Sequence, residues 1–198
     1  AAEICMRQRQ NGNEVVVVVS AMGDTTDLLA DRARVLGGKP SPREMDALIT
    51  TGEQQSAALL VMTMESLGMP AVSLAGWQAG IYTDCRYGDS DIRLIAPVRI
   101  RDALSRGRVP VVTGFQGVCA AGDITSLGRG GSDTTAVALA AALESDCCEI
   151  YTDVDGIYTA DPRLIPEAVK LGAIDYRDML ALAEAGSQVL HAKSVELA

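Results

Sequence analysis

The chain has 198 residues, 48% of them apolar but with only one Phe and one Trp, so one sizeable core can form and must be built from Val, Leu, Ile, Ala and Met. Lys and Arg number 17 against 26 Asp and Glu, a net charge of −9 with no basic block, which argues against nucleic acid or an anionic membrane surface as partner. No apolar run approaches the roughly 20 residues that cross a bilayer. Five cysteines (Cys5, Cys85, Cys119, Cys147, Cys148), an odd number without C-x-x-C spacing, read as reduced structural thiols of a cytoplasmic protein.

Residues 1–10 read as the tail of a helix. Asn11-Gly12-Asn13 then turns the chain into Glu14–Ser20, whose run of valines predicts a strand buried on both faces of a central parallel sheet. The small-residue loop 21–26 follows at that strand's carboxyl end, where open α/β sheets bind ligands. A helix is expected from about Asp27 to Leu36. Ser41-Pro42-Arg43-Glu44 carries the serine cap, N1 proline and N3 glutamate of a second, with Met45, Leu48 and Ile49 on one face. After an interruption at 50–53 a third runs to Leu67, and Glu53 at its start has the plain reading of a first-turn carboxylate. Strands are expected at 71–74, 81–83, 92–95 and 109–113, a helix at 98–106 and a hairpin over 118–125. A helix at 136–143, a strand at 147–152, a tight turn at 153–156 and helices at 176–185 and from 189 onward complete the pattern. Wholly apolar strands alternating with helices imply one three-layer α/β/α sandwich with a mostly parallel central sheet.

The densest signal is Ser126–Thr135, Ser-Leu-Gly-Arg-Gly-Gly-Ser-Asp-Thr-Thr. Gly128, Gly130 and Gly131 free the backbone to turn, and Ser132 and Asp133 stand where an N-cap belongs. A glycine turn entering a helix N-terminus offers unpaired N–H groups and the positive end of the dipole to an anion, and Arg129 adds a planar cation. The same ten residues also suit an ordinary connector, and neither common nucleotide fingerprint is present. In a parallel sheet, loops 20–26, 114–117, 126–133 and 152–158 converge on one rim. They hold Arg129, Asp133, Asp153 and Asp155, and Arg163 follows, but no histidine. His191 alone, read as a helix-face residue, makes a Ser-His-Asp or histidine–metal enzyme improbable. Anion-binding loops without a base suit phosphoryl transfer, where positioning and charge neutralisation dominate.

Six segments carry a family resemblance: 15–26 (VVVVVSAMGDTT), Thr51-Gly52-Glu53, 76–80 (GWQAG), 114–118 (GFQGV), and 126–143 followed by 149–162 (EIYTDVDGIYTADP). Together they resemble the catalytic domain of the aspartate kinases, within the amino-acid kinase family, over essentially the whole chain. The resemblance implies transfer of the γ-phosphoryl group of ATP, as its Mg2+ complex, to the side-chain carboxylate of L-aspartate. By motif match, Arg129 would hold the α-carboxylate and Glu53 the α-amino group, with Thr26 and Ser132 completing the pocket. Asp133 would organise the reacting centre, and Thr152, Asp153, Tyr158, Arg163 and Gln188 would contact the nucleotide. No residue is assigned as a direct metal ligand, and the full-length enzyme is expected to be a homo-oligomer.

Two departures stand out. The family's first strand, Lys-Phe-Gly-Gly, has no counterpart, so the chain is expected to be a fragment lacking that strand and the regulatory ACT domains. Gln188 occupies a position where the family commonly has lysine, with Lys193 nearby in sequence. Both favour a chain inactive by itself; the alternatives are a pseudokinase-like binding module or a kinase of glutamate, acetylglutamate, carbamate or UMP.

Overall fold

The computed structural model describes residues 1–187 and 189–198. Its centre is a parallel sheet of three strands, β1 (Val17–Val19), β2 (Ala71–Leu74) and β5 (Val109–Thr113), in the order β1-β5-β2. Val17 of β1 and Ser73 of β2 both lie opposite Val111, which leaves β5 flanked on both edges and wholly buried. The pleat sends alternate side chains to opposite faces. Val17, Val19, Ala71, Val109 and Val111 face Ala57, Val61 and Met64 of α4 (Thr51–Ser66), with Ala2 and Cys5 of α1 (Ala2–Gln10) beyond. Val16, Val18, Val72, Leu74 and Val112 face Ile100 and Leu104 of α5 (Val98–Ser105) and Leu139 and Leu143 of α6 (Gly131–Leu143). This is the expected three-layer α/β/α sandwich.

A second sheet, in the order β4-β3-β6-β7, joins β3 (Ile81–Thr83), β4 (Ile92–Ile95), β6 (Gln116–Cys119) and β7 (Ile124–Ser126). Only β3 and β6 pair in parallel there; β3–β4 and β6–β7 are antiparallel. The remaining helices are α2 (Thr25–Val35), α3 (Pro42–Ile49), α7 (Tyr176–Glu184) and α8 (Ala192–Leu197). Ser41 caps α3, its Oγ accepting the Glu44 N–H at 3.3 Å. No helix among the described residues is long and apolar enough to cross a membrane.

Four expectations are corrected. The valine strand meets helices on both faces but lies at the edge of the described sheet, paired with β5 on one side only, so its residues are half-buried rather than central. Residues 147–152 form no strand: a strand exists only as half of a pair, no described segment pairs with this one, and Cys147 and Cys148 are exposed. Cys85 and Cys119 are joined in a disulfide, their Cα atoms 5.3 Å apart, rather than reduced. The register that sets Thr83 opposite Cys119 brings together two residues far apart in sequence. His191 caps α8 rather than facing out from it, its Nδ1 accepting the Lys193 N–H at 3.4 Å.

Met64 is fully buried where α4 meets the sheet. Met64→Ala is expected to cost about 2–5 kcal/mol by losing transfer free energy and leaving a cavity, read as a lower denaturation midpoint with an unchanged slope.

Candidate active site

The carboxyl ends of β1 and β5 open beside the start of α6, and backbone approach there leaves no room for side chains. A Cβ on Gly114 would stand 2.7 Å from Ser132 Oγ, and one on Gly131 would stand 2.9 Å from Phe115 Cδ2. Phe115 donates its N–H to Thr135 Oγ1 at 3.2 Å and accepts the Leu127 N–H at 2.8 Å, tying the exit of β5 to both flanks of the glycine turn. Phe115 itself sits at φ +67°, a left-handed conformation rare for an aromatic residue.

The N-cap of α6 is Gly130, at φ +69° with its Cα facing His191, where a Cβ would lie 2.3 Å from the histidine Cβ. Ser132 and Asp133 therefore occupy the first turn and not the cap as expected, because only glycine tolerates both that dihedral and that contact. Gly131 N–H bonds Gly128 O at 3.1 Å and Thr134 N–H bonds Gly130 O at 3.0 Å. Between them the amides of Ser132 and Asp133 have no acceptor among the described residues and point out of the helix start.

Across the opening stands Glu53, in the first turn of α4 and 3% exposed. Its Oε1 accepts the Ala21 N–H at 3.0 Å, while its buried Oε2 has no partner among the described residues. Gln116 braces this helix start, donating from Nε2 to Thr50 O at 2.8 Å. Burial pushes the Glu53 carboxyl above the usual glutamate range. Asp133, half-buried, is raised for the same reason, partly offset by the nearby His191.

An open cleft of about 230 Å³ results, and Thr26, Glu53, Arg129, Ser132 and Asp133 all line it. Every residue expected at the amino-acid pocket and the reacting centre is thus in one place. Ser20 and Phe115 line it too, neither of them assigned a role above; both belong to the strand-end loops 20–26 and 114–117. The nucleotide residues are not gathered there. Thr152 and Asp153 bond each other at 3.2 Å, Tyr158 donates to Asp155 at 2.9 Å, and Arg163 pairs with Asp161 at 2.8 Å, all away from the cleft wall. Gln188 lies outside the described residues. Lys193 is engaged elsewhere, with Asp91 at 2.9 Å and Ser90 O at 2.9 Å. Arg129 is the one cationic side chain among the described residues lining the cleft.

A carboxyl whose pKa is raised by folding binds its proton more tightly in the folded state, so ionising it costs stability. For Glu53 that cost is absent below the unfolded value of about 4.3 and grows as pH rises through the folded value. Glu53→Gln keeps an acceptor for Ala21 N–H and removes the charge. It is expected to melt above the parent at neutral pH, with the difference vanishing toward about pH 4 in paired thermal melts.

The family model described as the amino acid kinase family matches residues 1–198. Among curated relatives, an aspartokinase of Mycolicibacterium smegmatis is 54% identical over all of this chain and 47% of its own length. One from Geobacillus stearothermophilus is 56% identical over 96% of this chain and 46% of its own. The chain therefore spans just under half the length of these relatives. Among solved structures, the aspartate kinase from Synechocystis superposes with a TM-score of 0.85 at 49% identity, covering 99% of this chain and 32% of that one. E. coli aspartokinase III, in complex with aspartate and ADP, gives 0.76 at 29% identity over 98% of this chain and 40% of its own. The glycine turn, the buried glutamate facing it and the match along the whole length lead to one conclusion: the chain belongs to the amino acid kinase family.

Proposed function

We propose that these 198 residues are the catalytic domain of an aspartokinase, forming 4-phospho-L-aspartate from L-aspartate and ATP. The observation that carries this reading is the pairing of Glu53 and Arg129 in one cleft. A buried carboxylate oxygen without a partner asks for a cation, and an exposed guanidinium opposite asks for an anion. A free amino acid supplies both on one carbon. Thr26 and Ser132 add hydroxyls to the same wall. The side-chain carboxylate of the bound substrate then attacks the γ-phosphorus, an acyl-phosphate O–P bond forms, the bond to the β-phosphate oxygen breaks, and ADP leaves.

The transferring phosphoryl group needs donors rather than a base. The free amides of Ser132 and Asp133 and the dipole of α6 supply them at the turn that no Cβ would fit. Mg2+ would arrive on the ATP phosphates and neutralise developing charge, since this ion takes few carboxylates plus phosphate oxygens; the half-buried carboxylate of Asp133 on the cleft wall would organise the reacting centre around those phosphates. Thr152, Asp153, Tyr158, Arg163 and Gln188 are assigned to the nucleotide by their motif match to the family. By the same family resemblance, the full-length enzyme is read as a homo-oligomeric biosynthetic enzyme of the cytoplasm, acting at the first step of lysine, threonine and methionine synthesis.

With Gln188 at a position where the family commonly has lysine, and Arg129 as the one described cation in the cleft, the 198-residue chain alone is expected to show little or no turnover, since loss of one cation can remove several kcal/mol of transition-state stabilisation. The full-length protein containing it is expected to form an aspartate-dependent acyl phosphate, trapped with hydroxylamine. Failure with aspartate but turnover with glutamate, acetylglutamate, carbamate or UMP would reassign the substrate. In the active protein, Arg129→Ala should raise the KM for aspartate by about 10- to 100-fold, the worth of a charge-assisted hydrogen bond.

A further inference from the structure

Asp46 lies on α3, outside the cleft, and is 1% exposed. An amphipathic helix ordinarily buries apolar side chains, yet the one fully buried residue of α3 is this carboxylate. Its oxygens are filled from two directions. Oδ2 accepts the N–H of Gly88 and the N–H of Ser126, each at 2.9 Å, and Oδ1 accepts the Ser126 hydroxyl at 2.7 Å.

Both donors border the glycine turn. Ser126 ends β7, three residues before Arg129. Gly88 belongs to the loop 84–91, which walls the turn on its other side. A Cβ on Gly128 would stand 2.7 Å from Asp89 Oδ1 and 3.3 Å from Gly88 O. The Ser90 N–H closes the same seam on Ser126 O at 2.9 Å. One carboxylate therefore fastens the two stretches of chain between which Gly128, at φ +74°, must pass. Arg129 is exposed and has no ion pair among the described residues, so the backbone of this turn sets its aim.

We propose that Asp46 is a positioning residue for the amino-acid substrate: by locking Ser126 against Gly88 it fixes the path of the turn that presents Arg129. The proposal rests on the assignment of the cleft to aspartate. It places the effect of Asp46 on amino-acid binding and not on ATP. Arg43, one helical turn away, provides a control. It bonds Asp123 at 2.6 Å in an exposed ion pair that grips the β6–β7 turn without touching Ser126.

The test is steady-state kinetics on the full-length protein with a melting temperature for every variant. Asp46→Asn, in which Nδ2 can no longer accept, is expected to raise the aspartate KM about tenfold while the ATP KM stays within about twofold. Ser126→Ala should shift the aspartate KM in the same direction by less, and Arg43→Ala should leave it unchanged. An unchanged aspartate KM in folded Asp46→Asn, or equal rises for aspartate and ATP, overturns the proposal. If Asp46→Asn does not fold, an unchanged aspartate KM in Ser126→Ala overturns it instead. If the parent protein fails to phosphorylate aspartate, the functional reading falls. The positioning role is then read from amide hydrogen exchange over residues 127–131, where faster exchange in Asp46→Asn supports it and unchanged exchange overturns it.

Discussion

Where β5 ends and α6 begins, two backbones meet at a spacing that excludes a Cβ. Gly114 lies against Ser132, and Gly131 against Phe115 and Leu127. Everything at the cleft follows from that contact. It sets the free amides of the first helical turn beside the strand ends, and it holds Arg129 on the outer side of the bend. The parallel sheet makes the contact possible, because it delivers the ends of β1 and β5 to one rim. Phe115 in a left-handed conformation is the local strain that accompanies so close an approach.

Electrostatics then divides the cleft into two unlike walls. On the α4 side an almost wholly buried glutamate has one oxygen without a partner among the described residues, a state that is costly until a donor reaches it. On the α6 side Arg129, the amides and the dipole favour negative charge. The two walls of this cleft of about 230 Å³ thus differ in the charge they favour.

Much of this was legible in the sequence because it is local. The glycines of 128–131, the capping box at Ser41 and the apolar strands at 71–74 and 109–113 each announce themselves within a few residues. What escaped is non-local. Asp46 looks like a solvent-facing residue on an amphipathic helix, and its burial is determined by donors 42 and 80 positions away. The disulfide depends on a β3–β6 register that spacing alone does not reveal. Five valines announce a strand but not its place in the sheet, and 147–152 has strand composition without a partner. Local preference puts the cap of α6 at Ser132 or Asp133, since Ser and Asp are better side-chain caps than glycine, whereas packing against His191 leaves room for glycine alone.

The position of β1 carries a consequence of its own. Three β-branched residues form its ladder with β5 on one side, while the opposite rim of N–H and C=O groups has no described partner and carries no charged gatekeeper between Val15 and Val19. Such a rim is a template for any extended segment that reaches it. A strand added there would continue the sheet beyond β1, with the valine side chains already turned alternately to its two faces.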